Sequence, residues 1–188
     1  MPSEDPSFDQ FVAAHVRDLM SAAYLMSCDE SDAEDLVQEC LLKVANRWRR
    51  VRTMDLPAAY ARRILVNLAL DRGRDQTRRR RELAGAGESG EPAARELVDP
   101  RATAAFDSIA TRAPLLDALR ELSPQQRAAI VLRYFHDLSE AETAELLGCG
   151  VGTIKSSTAR GLAHMREIVE PPPSYTRDDT SRSGSSEP

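Results

Sequence analysis

Four serines, each followed three residues later by a glutamine or a glutamate, set most of what this chain can fold into. They are Ser7 with Gln10, Ser31 with Glu34, Ser123 with Gln126 and Ser139 with Glu142. In such a capping box the serine hydroxyl accepts from the third residue's backbone N–H, and that residue's side chain accepts from the serine's N–H. Each pair therefore marks a helix start, and apolar residues follow at helical spacing. Behind Ser7 come Phe8, Val12, Val16, Leu19 and Ala23. Behind Ser31, the residues Ala33, Val37, Cys40, Val44 and Trp48 share one face, with Asp35, Glu39 and Leu42 projecting elsewhere. Pro57 suits a first helical turn. After it Ala61, Ile64, Leu65 and Leu68 form an apolar stripe, with Arg62, Arg63, Asn67 and Arg74 off it.

The second half reads the same way. Leu115, Leu116, Leu119 and Leu122 make a short amphipathic helix. Ser123-Pro124 opens the next, which Ile130, Val131 and Tyr134 continue. Ser139 opens a helix that ends at Gly148, and a last helix runs from about Val151 to Val169. No strand alternation and no internal repeat stands out, so the expected fold is all-α. Between the halves, residues 82–110 are rich in Gly, Ala, Glu and Pro and carry little periodicity, as a flexible linker does. The expected organisation is two small helical domains, 7–77 and 112–169, joined by a flexible, basic-then-acidic linker, 78–111. A disordered tail over 170–188 completes it.

The formal net charge of −5 argues, taken as a total, against nucleic acid. The charges are segregated, however. Residues 1–42 hold ten acidic side chains and one basic one, whereas residues 43–81 hold thirteen basic and three acidic, a net of +10. Segregation of this size is a partner signal, while the total mainly concerns solubility. A helix carrying Arg62, Arg63, Arg72 and Arg74, followed by Arg78-Arg79-Arg80-Arg81, reads as a surface that tracks a nucleic-acid backbone. Three scattered cysteines, Cys28, Cys40 and Cys149, match no metal-ligand spacing and fit a reducing cytoplasm. No run is apolar enough for membrane insertion, and MPSEDPSFDQ lacks the apolar core of a signal peptide. The histidines, His15, His136 and His164, sit in three separate helical contexts with no catalytic or metal constellation. No cofactor is expected.

Ser139 to Arg166 has helix–turn–helix dimensions, with Gly148, Cys149 and Gly150 at the turn. Ile154, Leu162 and Met165 anchor the second helix. Its other face offers Thr153, Lys155, Ser156, Ser157, Arg160 and His164, small polar groups and cations suited to a major groove. The spacing alone fits a plain helical hairpin equally well.

Three stretches settle the comparison: DAEDLVQECLLKVANRW (32–48), AAYARRILVNLALDRGR (58–74) and LSPQQRAAIVLRYFHDLSEAETAELLGCGVGTIKSSTARGLAHMR (122–166). Together and in this order they resemble bacterial RNA polymerase sigma factors of the extracytoplasmic-function group, most nearly the actinobacterial SigE family. The resemblance implies a non-catalytic specificity subunit that recognises minus-ten and minus-thirty-five promoter elements. It implies that Asp35, Gln38 and Glu39 dock on the coiled coil of the largest subunit of core RNA polymerase, with the flap as a second contact. Promoter DNA then falls to Arg62, Arg63, Asn67 and Arg74 at the minus-ten element. Thr153, Lys155, Ser156, Ser157 and Arg160 serve the minus-thirty-five element, and the loop Val51–Leu56 matches one that captures a flipped base. Many relatives carry Arg where this chain has Ser157, which leaves fewer base contacts. An anti-sigma factor is an implied partner. Two other readings stand beside this one. A stand-alone regulator shares the Gly-Thr-Ile-Lys pattern at 152–155, and a sigma mimic would titrate an anti-sigma factor without touching DNA.

Overall fold

A computed structural model describes residues 7–85 and 113–169. Among these the chain is helical. The first half holds α1 (Phe8–Ser27), α2 (Glu30–Ala45), α3 (Trp48–Val51) and α4 (Pro57–Gly85). The second holds α5 (Ala113–Arg120), α6 (Pro124–Ile130), α7 (Glu140–Leu147) and α8 (Val151–Val169). Most of the expected linker and the whole tail lie outside the described residues. No described helix is long and apolar enough to cross a membrane.

Three of the four capping boxes form as the sequence predicts, at Ser7, Ser123 and Ser139. The fourth does not. Helix α2 starts earlier, with Asp29 as its cap, whose carboxylate accepts from the Asp32 N–H at 2.8 Å. Ser31 is thus inside the first turn. A charged acceptor makes the stronger cap, so the aspartate displaces the serine.

Trp48 is also placed differently. Helix α2 stops at Ala45, and Trp48 opens the short α3, where its ring meets Phe8 and Phe11 of α1 at 5.5 and 5.2 Å. The stripe Ala33–Val44 is buried as predicted, with Cys40 and Val44 fully enclosed. Burial pushes the Cys40 thiol up to about 11, so this cysteine is a small apolar core residue.

Two further departures concern helix ends. Helix α4 runs straight through the arginine tract to Gly85, so the boundary drawn at 77 is no break. Helix α6 instead loosens into a π-turn, Val131–Phe135, in which the His136 N–H reaches back five residues to the Val131 carbonyl. The added residue per turn rotates Tyr134 out of the expected stripe, leaving it 58% exposed.

The two halves are packed on each other. One apolar cluster joins Cys28 of the first half to Leu116, Leu119, Ile130 and Met165 of the second. Another joins Met26, Val66 and Leu70 to Ala128, Val131 and Leu132. Two arginines of the second half close the C-terminus of α1: Arg127 donates to the Met26 carbonyl at 2.9 Å, and Arg120 to the Cys28 carbonyl at 3.0 Å. Cations at a helix C-terminus meet its negative dipole end as well as its unpaired carbonyls. At the closest approach a Cβ on Gly73 would stand 2.8 Å from the Pro124 ring, so only glycine fits.

Candidate docking and nucleic-acid surfaces

Helix α2 presents one polar face. Asp35 and Gln38 are exposed, and Glu39 is half-buried beside them in an ion pair with Lys43 at 3.0 Å. The structure thus brings the three predicted docking residues onto neighbouring turns. Leu42, one turn further, is 64% exposed on the same side. The apolar pattern of the sequence places Leu42 off the buried stripe and assigns it no role. Its position at i+7 from Asp35 was the available signal.

The N-terminal turn of α2 is tied to α4. Asp32 accepts from Arg72 at 3.3 Å and from the Gln76 amide at 2.9 Å. Arg72 also reaches the Asp35 carboxylate, at 3.7 Å. Asp32 is therefore a strut between helices, and Arg72 belongs to that strut despite its place in the basic segment.

The predicted minus-ten residues divide. Arg63, Asn67 and Arg74 are exposed along one face of α4. Arg62 is not among them. It is half-buried and lines a small cavity with His15, Asp18 and His136. At 100° per residue Arg62 points well away from the Arg63 face, although both lie off the apolar stripe. Burial and then the Arg62 charge push the His136 pKa down to about 4, against the opposing pull of Asp18 and Asp137. Its Nε2 is buried and has no hydrogen-bond partner among the described residues.

Ahead of α4, Arg47, Arg49, Arg50 and Arg52 are exposed around α3, and Arg47 donates to the Tyr60 hydroxyl at 3.2 Å. The net charge of the segment signalled them, but their residue-by-residue placement was missed. In the loop that follows, Leu56 is exposed while Val51 is fully buried, so Val51 anchors the loop and is not part of its open surface.

The second half forms the predicted helix–turn–helix. Gly148 ends α7 in the left-handed region at φ 63°, where a side chain would be strained. Thr153, Lys155, Ser156 and Arg160 are exposed on α8. Ser157, expected on that face, is only 6% exposed. It follows Ile154 by three residues and precedes Gly161 by four, and so falls on the packed stripe that ends at Met165. The exposed cations are both held. Lys155 pairs with Glu140 of α7 at 3.5 Å. Arg160 donates through Nε to the Ser156 carbonyl at 3.1 Å and through Nη2 to its hydroxyl oxygen at 3.3 Å, and that hydroxyl donates in turn to the Thr153 carbonyl. A guanidinium fixed this way keeps its remaining donors in a planar fork suited to a guanine edge or a phosphate.

Comparison with known proteins covers both halves. The family model for Sigma-70 region 2 matches residues 11–79, and that for Sigma-70 region 4 matches residues 112–165. The chain is 34% identical to the RNA polymerase sigma-E factor of Streptomyces avermitilis over 163 residues, 87% of this chain and 85% of that protein. It is 33% identical to the ECF RNA polymerase sigma factor SigE of Mycolicibacterium smegmatis, over 87% of this chain and 62% of that protein. Among solved structures, the sigma factor RpoE of Bartonella quintana, crystallised with the anti-sigma factor NepR, superposes with a TM-score of 0.63 at 28% identity. The match covers 88% of this chain and 98% of that one.

Proposed function

The chain belongs to the sigma-70 family, the promoter-specificity factors of bacterial RNA polymerase, and from that premise we propose how its surfaces divide the work. As a sigma factor it directs promoter-specific initiation of transcription. The α2 face of Asp35, Gln38 and Glu39, with Leu42 as an apolar anchor, docks on the coiled coil of the largest polymerase subunit. Its charge complements a basic partner, which favours association rate and register. Arg63, Asn67 and Arg74 of α4 meet the minus-ten element. Thr153, Lys155, Ser156 and Arg160 of α8 meet the minus-thirty-five element. Catalysis belongs to the polymerase, in the cytoplasm, and this subunit supplies recognition.

The observation that carries this division is the arrangement of exposed charge. An acidic face on α2 and cationic faces on α4 and α8 are all open to solvent on one folded unit. A protein partner is proposed too. The Bartonella relative was crystallised with an anti-sigma factor, and a comparable inhibitor is expected to hold this chain.

Run-off transcription with core polymerase and a randomised promoter library tests the reading. Promoters sharing two spaced elements are expected to be enriched. Charge reversal at Asp35 and Glu39 is expected to abolish transcription by weakening core binding. A chain that does not bind core polymerase at all would overturn the proposal.

A further inference from the structure

The sequence pattern puts the arginine tract at the start of a linker, yet the helix is unbroken from Pro57 to Gly85. A rigid helix puts the tract in register with what precedes it. Arg63, Asn67, Arg74, Arg78 and Arg81 fall within an arc of about 60° when successive residues turn by about 100°. All five are exposed. From Arg63 to Arg81 the stripe is about 27 Å long at about 1.5 Å per residue, the length of roughly eight base pairs.

Part of the rest of the helix surface is committed elsewhere. Leu65 and Val66 are buried, Arg72 is tied to α2, and Gly73 lies against Pro124. Arg74 and Arg78 do pair along the helix with Asp71 and Asp75, at 3.1 Å each, and Arg78 also approaches Glu82 at 3.8 Å. All of these side chains are more than half exposed, and exposed pairs of this kind hold weakly enough to be exchanged for phosphates.

We propose that Arg78 and Arg81 extend the minus-ten reader of α4 into a rail that grips the phosphate backbone of the adjoining duplex, on the side facing the minus-thirty-five element. The inference rests on the minus-ten reading above. The direction is taken from chain order, in which the half assigned to the minus-thirty-five element follows the C-terminal end of α4. The partner is the duplex backbone and not its bases. The tract has no neighbouring Asn or Gln on the stripe beyond Asn67, and its weak helical pairs leave the guanidinium groups free to swing.

The test uses holoenzyme assembled from core polymerase and the full chain, with promoter affinity measured against salt. Each lost phosphate contact lowers the slope of log affinity against log salt by about 0.9. The variant R78A/R81A is therefore expected to lower it by about 1.8, which between about 50 and 200 mM salt is a roughly twelvefold smaller loss of affinity. Base preference at the minus-ten element should be unchanged. Arg79→Ala removes a charge that stands about 100° round the helix from Arg78 and about 160° from Arg81, off the stripe, and should leave the slope as it was. Promoter fragments cut at the upstream edge of the minus-ten element should abolish the difference between R78A/R81A and the natural chain. An unchanged slope in R78A/R81A, or an equal fall in the Arg79→Ala variant, would overturn the rail. Asn67→Ala separates this from a failure of the underlying reading. If it leaves minus-ten preference intact, the reading itself is wrong, whatever the arginine tract does.

Discussion

Arg160 is the residue on which sequence specificity in the second half should turn, and Ser156 is the residue that aims it. A guanidinium that reads a base bidentately contributes about 1–3 kcal/mol of discrimination. Arg160→Ala is expected to lose that amount at one position of the minus-thirty-five element. Ser156→Ala leaves the charge but removes the hydroxyl that Arg160 Nη2 uses. It should relax the same base position by about 0.5–1.5 kcal/mol, the worth of one hydrogen bond, with the salt slope unchanged. Ser156→Thr should restore it. Selection from a promoter library reads all three variants. Loss at a different base position in Ser156→Ala would mean that the serine touches DNA itself.

His136 makes a second prediction at this scale. Its pKa is held down to about 4 in the folded protein, against about 6.5 in an unfolded chain. Between these values the unfolded chain binds the additional proton, so folding stability rises with pH across that window. Stability should therefore fall as pH drops from about 6.5 towards 4, and the His136→Gln variant should lose the part of that dependence that lies above the carboxylate range. Urea denaturation at pH 7.0, 6.0 and 5.0 would check this. The groups facing His136 are Arg62 on α4 and Asp18 and His15 on α1, with Asp137 beside it. Parallel pH profiles for the two proteins would overturn the assignment to His136.

At the scale of elements, helix starts were legible wherever a serine box stood alone, and illegible where a better acceptor was close by. The Ser139 hydroxyl, at 2.6 Å, and the Ser139 N–H, at 2.8 Å, both donate to the Glu142 carboxylate, and these bonds hold its carboxyl below the usual range. Ser31 and Glu34 have the same spacing, but Asp29 caps α2 instead. Asp29→Ala should therefore cost about 0.5–2 kcal/mol in chemical denaturation, whereas Ser31→Ala should stay within about 0.5 kcal/mol. Helix continuation was harder to read than helix onset. The stripe Ile130, Val131, Tyr134 has helical spacing, yet a π-turn takes Tyr134 out of it, and spacing alone carries no trace of such a turn. Position on a helix face was harder again. Ser157 is small and polar, and only the packing of α8 against α6 and α7 shows it to be inward. That Asp35, Gln38 and Glu39 share one side of α2 is legible because they lie off a long, unambiguous apolar stripe.

At the scale of the molecule, the packing of the two halves on each other was not legible at all. Neither the Arg127 bond to the end of α1 nor the fit of Gly73 against Pro124 leaves a periodic trace in the sequence. The consequence is geometric. The described residues, folded into one unit, have a radius of gyration of about 14 Å. Two promoter elements about 25 base pairs apart are separated by roughly 85 Å of duplex. The packed form therefore cannot occupy both elements, and the halves must part for the proposed function. Gly73→Ala should favour the parted form, because its Cβ would meet ring carbons of Pro124 that have no other rotamer to retreat to. The expected outcome is a larger radius of gyration by small-angle scattering and a lower thermal midpoint. Region-by-region helix content should be kept, because alanine is a better helix former than glycine in α4. The free natural chain should bind duplex weakly, since an acidic first segment opposes the approach and only one reader engages at a time. Gly73→Ala should then bind a two-element duplex more tightly than the natural chain does, with no such gain on a duplex carrying one element. An unchanged radius of gyration in Gly73→Ala would mean that Pro124 yields instead, and the joint would not be what limits the free chain.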